Sequence, residues 1–226
     1  MKNLNKYINE LNRIVTELKN NNEHDKVKKL RYYKFTEYNN VSSNIDEYLS
    51  SFTDTVSELF PDDTDINSVD FMLYELLTNV YKHSRFKRTY LQIITPDDEN
   101  IEIRIFDNGI GIHGSFKNAS IASTDDSEAI YEAINGKTSD KEKYGLRGRG
   151  LNSTARLTTL GFNGEMIIAS GNGFCVITKE GAKTFINHDK IKGTFVILKI
   201  ENKKINNIYS YLKFENINKI KEAKHD

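Results

Sequence analysis

The stretch ELLTNVYKHS, Glu75 to Ser84, decides the reading of this chain, because it sets a carboxylate, a carboxamide and a cation along one edge of an otherwise apolar helix. Neighbours on a helix lie three and four residues apart. Glu75, Asn79, Lys82 and His83 therefore form one strip beside the apolar strip Val69, Met72, Leu73, Leu76 and Val80. That combination suits a Mg-nucleotide site. A carboxamide oxygen is a hard, neutral ligand for Mg²⁺, a carboxylate can orient or deprotonate a water, and an ammonium meets phosphate oxygens. An amphipathic helix with a wet edge is the competing reading of the same residues.

Working outward, IEIRIFDNGIGI alternates Ile101, Ile103 and Ile105 with Glu102 and Arg104, the period of a half-buried strand, and then runs into Asp107, Asn108, Gly109, Ile110 and Gly111. The turn leaves the Asp107 carboxylate at a strand end. There it can accept a hydrogen bond from an exocyclic amine such as adenine's, while Gly109 and Gly111, lacking Cβ, let the backbone approach a flat ring. Read alone, Asp-Asn-Gly is a turn signal. Further on, GLRGRGLNSTARLTTLG places Gly145, Gly148 and Gly150 before a helical pattern through Leu151, Ala155, Leu157 and Leu160, stopped by Gly161. A glycine-rich loop opening a helix offers backbone N–H groups and a positive dipole end to phosphates, and Arg147 and Arg149 add charge. The order Gly-x-x-Gly-x-Gly, with no strand before it, argues against a dinucleotide-binding fingerprint.

At these residues the chain resembles the GHKL superfamily, the nucleotide-binding domain of gyrase-type topoisomerases, ninety-kilodalton chaperones, histidine kinases and MutL proteins. ELLTNVYKHS resembles the Asn box, DNGIGI the first glycine box and RGRGLNS the second, and KGTFVILKI around Thr194 is similar to the strand that closes the pocket. The resemblance implies an α+β fold, a two-layer sandwich of the Bergerat type. Its mixed, largely antiparallel sheet would carry helices on one face and an ATP lid. It also implies ATP and Mg²⁺ as ligands. Asn79 would hold the metal, Asp107 would read adenine with Thr194 in support, Gly148 to Leu151 would wrap the phosphates, and Glu75 would act as the catalytic base.

Composition agrees with one such domain. At 226 residues and 38% hydrophobic, the chain can bury a real core, and two domains would be cramped. Lys plus Arg and Asp plus Glu each number 32, so no net charge draws it to nucleic acid or to an anionic membrane. The lone cysteine, Cys175, points to the reducing cytoplasm and to a core position. No apolar run reaches transmembrane length and no signal-peptide pattern opens the chain, so a membrane-spanning sensor kinase is not expected.

Residues 1–60 read as a helical region, with Leu4, Tyr7, Ile8, Leu11, Ile14, Val15 and Leu18 forming one amphipathic face for the core, a partner or a homodimer. Asp25 to Tyr38 fits helix and strand equally. Asn44 or Asp46 caps a helix through Tyr48, Leu49, Phe52, Val56 and Leu59, and Asp65 to Ser68 opens the helix of the Glu75 strip. The ATP-binding domain spans 61–201, with strands at Thr89–Thr95 and Asn100–Phe106, a hairpin turning at Gly171-Asn172 and a last strand at Gly193–Ile200. A polar segment at about 112–147, with one helical patch from Ser127 to Asn135, reads as a mobile lid. Its Gly136-Lys137-Thr138 is not a P-loop, since Tyr131 stands where the first glycine belongs. Residues 202–226 read as a helical tail through Ile205, Tyr209, Leu212 and Phe214.

Glu75 is the residue found at this position in gyrase-like ATPases, anti-sigma-factor kinases and one group of histidine kinases, and the Asn-Val-x-Lys-His-Ser continuation most resembles that last group. Too little chain follows Ile200 for a transducer domain, and His24 lacks the helix-pair setting of a phosphoacceptor. The expectation is an ATP hydrolase or protein kinase of regulatory type acting on a partner protein. A non-catalytic ATP-dependent switch and the catalytic half of a split histidine kinase are the alternatives.

Overall fold

Alternating Ile, aromatic and β-branched residues make the strands, and they assemble into one five-stranded sheet in a computed structural model that describes Arg13 and residues 30–37, 44–53, 60–139 and 150–220. The strands are β1 (Leu30–Glu37), β2 (Arg88–Ile94), β3 (Asn100–Asp107), β4 (Glu165–Thr178) and β5 (Gly181–Glu201). They lie in the order β1-β2-β3-β5-β4, and each neighbouring pair is antiparallel. The helices are α1 (Ile45–Thr53), α2 (Ile66–His83), α3 (Gly111–Asn118), α4 (Asp126–Ile134), α5 (Gly150–Arg156) and α6 (Tyr209–Leu212), and α5 runs on into a wider turn at Leu157–Gly161. This is the α+β arrangement that the sequence led us to expect.

Helix α2 starts where a carboxylate caps it. Asp65 accepts a hydrogen bond from the Ser68 N–H at 3.2 Å, and Lys82 and His83 fall in the last turn, complementing the helix dipole. Its apolar face, Val69, Met72, Leu73, Leu76, Leu77 and Val80, joins Leu91, Ile93, Ile103, Ile105 and Leu198 of the sheet in one core. Helix α1 adds Tyr48 and Phe52, whose rings meet edge to face at 5.3 Å. A second, smaller cluster on β2 to β5 contains Tyr90, Phe106, Ile167, Phe195 and Ile197.

Several expectations change. The ambiguous stretch after Asp25 is a strand from Leu30, so residues 1–60 are not helical throughout; β2 offers it a partner, and its aromatic and Thr content favours the pleat. Gly171-Asn172 is a bulge rather than a turn. Gly171 takes φ +61°, Asn172 N–H donates to Asp126 Oδ2 at 2.8 Å, and β4 continues to a turn at Lys179 and Glu180. A Cβ at Gly171 would collide with the Asp126 carboxylate, so this glycine serves helix docking.

Much of the expected lid belongs to the core. Phe116, Ala129, Ile130 and Ile134 of α3 and α4 are buried, because their spacing presents one apolar face within a polar composition. Among the described residues the tail is helical only at Tyr209–Leu212. Elsewhere its backbone bonds to other elements: Ile205 N–H to Asp65, Ile217 N–H to Asn135, and Ala182 N–H to the Asn218 carbonyl. The Leu4–Leu18 helix, Val56, Leu59, His24 and residues 140–149 lie outside the described residues.

Candidate nucleotide site

Between α2 and the end of the sheet lies a cavity of about 620 Å³, a size common for small-ligand sites. Glu75, Asn79, Lys82, His83, Asp107, Gly111, Gly150, Leu151 and Thr194 all line it. The helical strip and the glycine boxes, up to 119 residues apart between Glu75 and Thr194, thus share one wall system. Gly109 is near but serves the scaffold: its N–H donates to Asp107 Oδ1 at 2.8 Å, and a Cβ there would strike the Ser84 carbonyl. Arg147, Gly148 and Arg149 lie outside the described residues.

The Asp107 end of the cavity is built from a polar row at the end of an apolar sheet. Thr89, Asp107, Thr194 and Ser170 stand opposite one another across β2, β3, β5 and β4. Asp107 is 1% exposed, and burial pushes its carboxyl up to about 7 against hydrogen bonds from the Gly109 N–H, the Ser84 side chain and the Thr194 backbone and side chain. So deep an acceptor, among so many donors, suits a ligand that brings one more N–H. Gly193 makes the row possible. Its Cβ would collide with the Asp107 carbonyl, and its φ of +93° favours glycine.

Glu75 lies midway along α2. About 14 Å of helical rise separates it from Ser84, so the cavity runs along the helix from the Asp107 end to this carboxylate. Glu75 is half-buried, and burial raises its pKa while Lys82 draws it back. Its carboxylate rests against the opening of α5, where a Cβ on Gly150 would collide with Oε2. The metal expectation fits one protein carboxamide, Asn79. Among the described residues no group of three His, Cys, Asp or Glu side chains could cage an ion.

Sequence reasoning missed Ser84, Ser115, Lys137, Thr138, Ser139 and Ser153, which also line the cavity. Gly136-Lys137-Thr138 does not form a P-loop: α4 precedes it, and Gly136 at φ +87° ends that helix. The signal was the hydroxyl-rich run after a helix-stopping glycine.

The fold and this cavity define an ATP-binding domain of the Bergerat class. Residues 64–203 match the family described as histidine kinase-, DNA gyrase B-, and HSP90-like ATPase, and the chain belongs to that family. No curated protein matches the chain. Among the described residues no helix is long and apolar enough to cross a membrane.

Proposed function

We infer that the chain transfers the terminal phosphoryl group of Mg-ATP, to water or to a hydroxyl of a partner protein, as a regulatory ATPase or kinase. The observation that carries this reading is Glu75. It is a half-buried carboxylate of raised pKa, at the far end of the cavity from the adenine anchor and beside the glycine that opens α5. A nucleophile between Glu75 and the γ-phosphorus would pass its proton to the carboxylate as its oxygen bonds phosphorus. The bridging P–O bond breaks and ADP leaves. Asn79 would hold Mg²⁺, which when bound neutralises charge on the phosphate oxygens. Lys82 and the N–H groups near Gly150 and Leu151 orient the phosphates. Cys175, buried and with its thiol pushed up to about 12 by burial, stays reduced and inert, in keeping with a cytoplasmic setting.

The test is Glu75→Gln, which keeps shape and removes the base. Calorimetry is expected to give ATP affinity within about twofold of wild type, while phosphate release or phosphoryl transfer drops by about a hundredfold or more. Normal turnover in this variant would remove Glu75 as the base. Wild-type and variant chains that capture a partner equally well with ATP, neither turning it over, would identify a switch instead.

A further inference from the structure

After β5 the chain runs as a strap across the helices. Every residue from 202 to 220 is half-buried or exposed, and apart from α6 and one bridge to Ala182 this stretch has no regular element to pair its backbone. Polar side chains of other elements take that role. Asn135, which closes α4, accepts from the Ile217 N–H at 2.7 Å and donates to the Ile217 carbonyl at 3.3 Å, where the Tyr131 hydroxyl also donates at 3.2 Å. Helix α5 turns three donors toward the strap. Ser153 donates to the Leu212 carbonyl at 3.4 Å, Asn152 to the Glu215 carbonyl at 2.9 Å, and Arg156 to the Tyr211 carbonyl at 3.4 Å and to the Glu215 carboxylate.

Asn152 is the junction. It is fully buried, and its amide nitrogen donates both to Glu215 and, again at 2.9 Å, to the carbonyl of Ile134, the last residue of α4. A carboxamide has two N–H donors, so one side chain ties α4, α5 and the strap together with both engaged. Two residues before it, Gly150 lies so close to Glu75 that a Cβ would overlap Oε2, and Leu212 of the strap lines the same cavity. We propose that residues 205–220 are a working part of the phosphoryl-transfer site: the strap holds α5 through Asn152 and Arg156 and so keeps Gly150 against Glu75, which makes Asn152, Arg156 and Glu215 positioning residues for the base. The proposal rests on the reading of Glu75 given above. Burial is what raises the pKa of that carboxyl, so an α5 that draws back admits water, lowers the pKa and loosens the geometry of proton transfer.

The experiment uses the full chain and the variants Glu215→Arg, Glu215→Gln and Asn152→Ala. The Glu215 side chain is 64% exposed, so its replacement tests the contact without disturbing the core. Arg sets a like charge against Arg156, whereas Gln keeps an acceptor there. Three quantities are read: the thermal midpoint, the titration of the Glu75 carboxyl by carbon-13 NMR in the nucleotide-free protein, and kcat and KM for phosphate release from Mg-ATP. Glu215→Arg and Asn152→Ala are expected to lower kcat about tenfold with KM within about twofold of wild type, and to move the Glu75 titration downward. Glu215→Gln keeps both near wild type. Variants that lose thermal stability while kcat and the Glu75 titration stay unchanged would overturn the positioning role and leave the strap purely structural. Should Asn152→Ala fail to fold, the two Glu215 variants decide alone. A wild type without turnover would strike the reading of Glu75 as base, and the carboxyl titration would still decide whether the strap holds α5 against it.

Discussion

Lowering the pH from 8 to 6 should weaken adenine binding by about tenfold, through Asp107 alone. Its carboxyl is pushed up to about 7 by burial at the end of β3, and the exocyclic amine of adenine is held best by the ionised form. Before ligand can take that hydrogen bond at pH 6, roughly ten protonated molecules must ionise for each one already ionised; at pH 8 the ratio is reversed. The difference is about one pK unit of work, or about 1.4 kcal/mol. Adenosine is the ligand of choice because it has no phosphates to titrate in that window. Calorimetry in two buffers of different ionisation enthalpy should show proton release on binding near pH 7, and Asp107→Asn should abolish binding rather than flatten the profile. Adenosine affinity that stays constant from pH 6 to 8 would refute the assignment. The same shift bears on stability. The folded pKa exceeds the unfolded value of 3.8, so the stabilisation from a neutral Asp107 is full below 3.8 and is lost as pH rises through about 7. The nucleotide-free protein should then lose up to about 4 kcal/mol between pH 4 and pH 8 from this group, and ATP should restore part of it.

Asn79→Ala should weaken Mg-ATP by about tenfold while leaving adenosine unchanged, measured by calorimetry with and without Mg²⁺, as expected if the carboxamide serves the metal and not the purine. Gly150→Ala should cut turnover by at least about tenfold with adenosine affinity retained, because the new methyl displaces the Glu75 carboxylate; normal turnover would show that Glu75 need not rest there.

The parts of the fold legible in the sequence are those where periodicity and chemistry agree. Asp65 as a cap and the α2 stripe each specify one conformation locally and the structure uses them as read, while β3 forms as a strand where its alternation predicts but is buried on both faces, Arg104 and Phe106 included. Gly171-Asn172 misled because the residue that permits a turn also permits a bulge, and only the approach of Asp126 on α4 selects between them. The tail from Ile205 misled for a similar reason. Its helical spacing is real, but Asn135, Asn152 and Asp65 offer its backbone partners that no local pattern reveals.

The site divides along the same line. Glu75, Asn79 and Asp107 could be found because they sit on elements whose period exposes them as out of place: a carboxylate and a carboxamide on a helix edge, and a carboxylate closing an apolar strand. Ser84, Ser115 and Ser139 could not, since serine is at home in any loop and their meaning comes from three elements converging. The cost of the arrangement is visible in the sheet. Asp107 occupies a row position where an apolar side chain would pack without a desolvation penalty, and Gly193 gives up its side chain so that β5 can lie against it. A domain selected for stability alone would fill that end of the sheet with isoleucine, as it does at Ile101, Ile103 and Ile105 on the same strand face. The chain instead keeps a carboxylate there that pH can neutralise and that four donors hold in place, and the proposed recognition of adenine would account for keeping it.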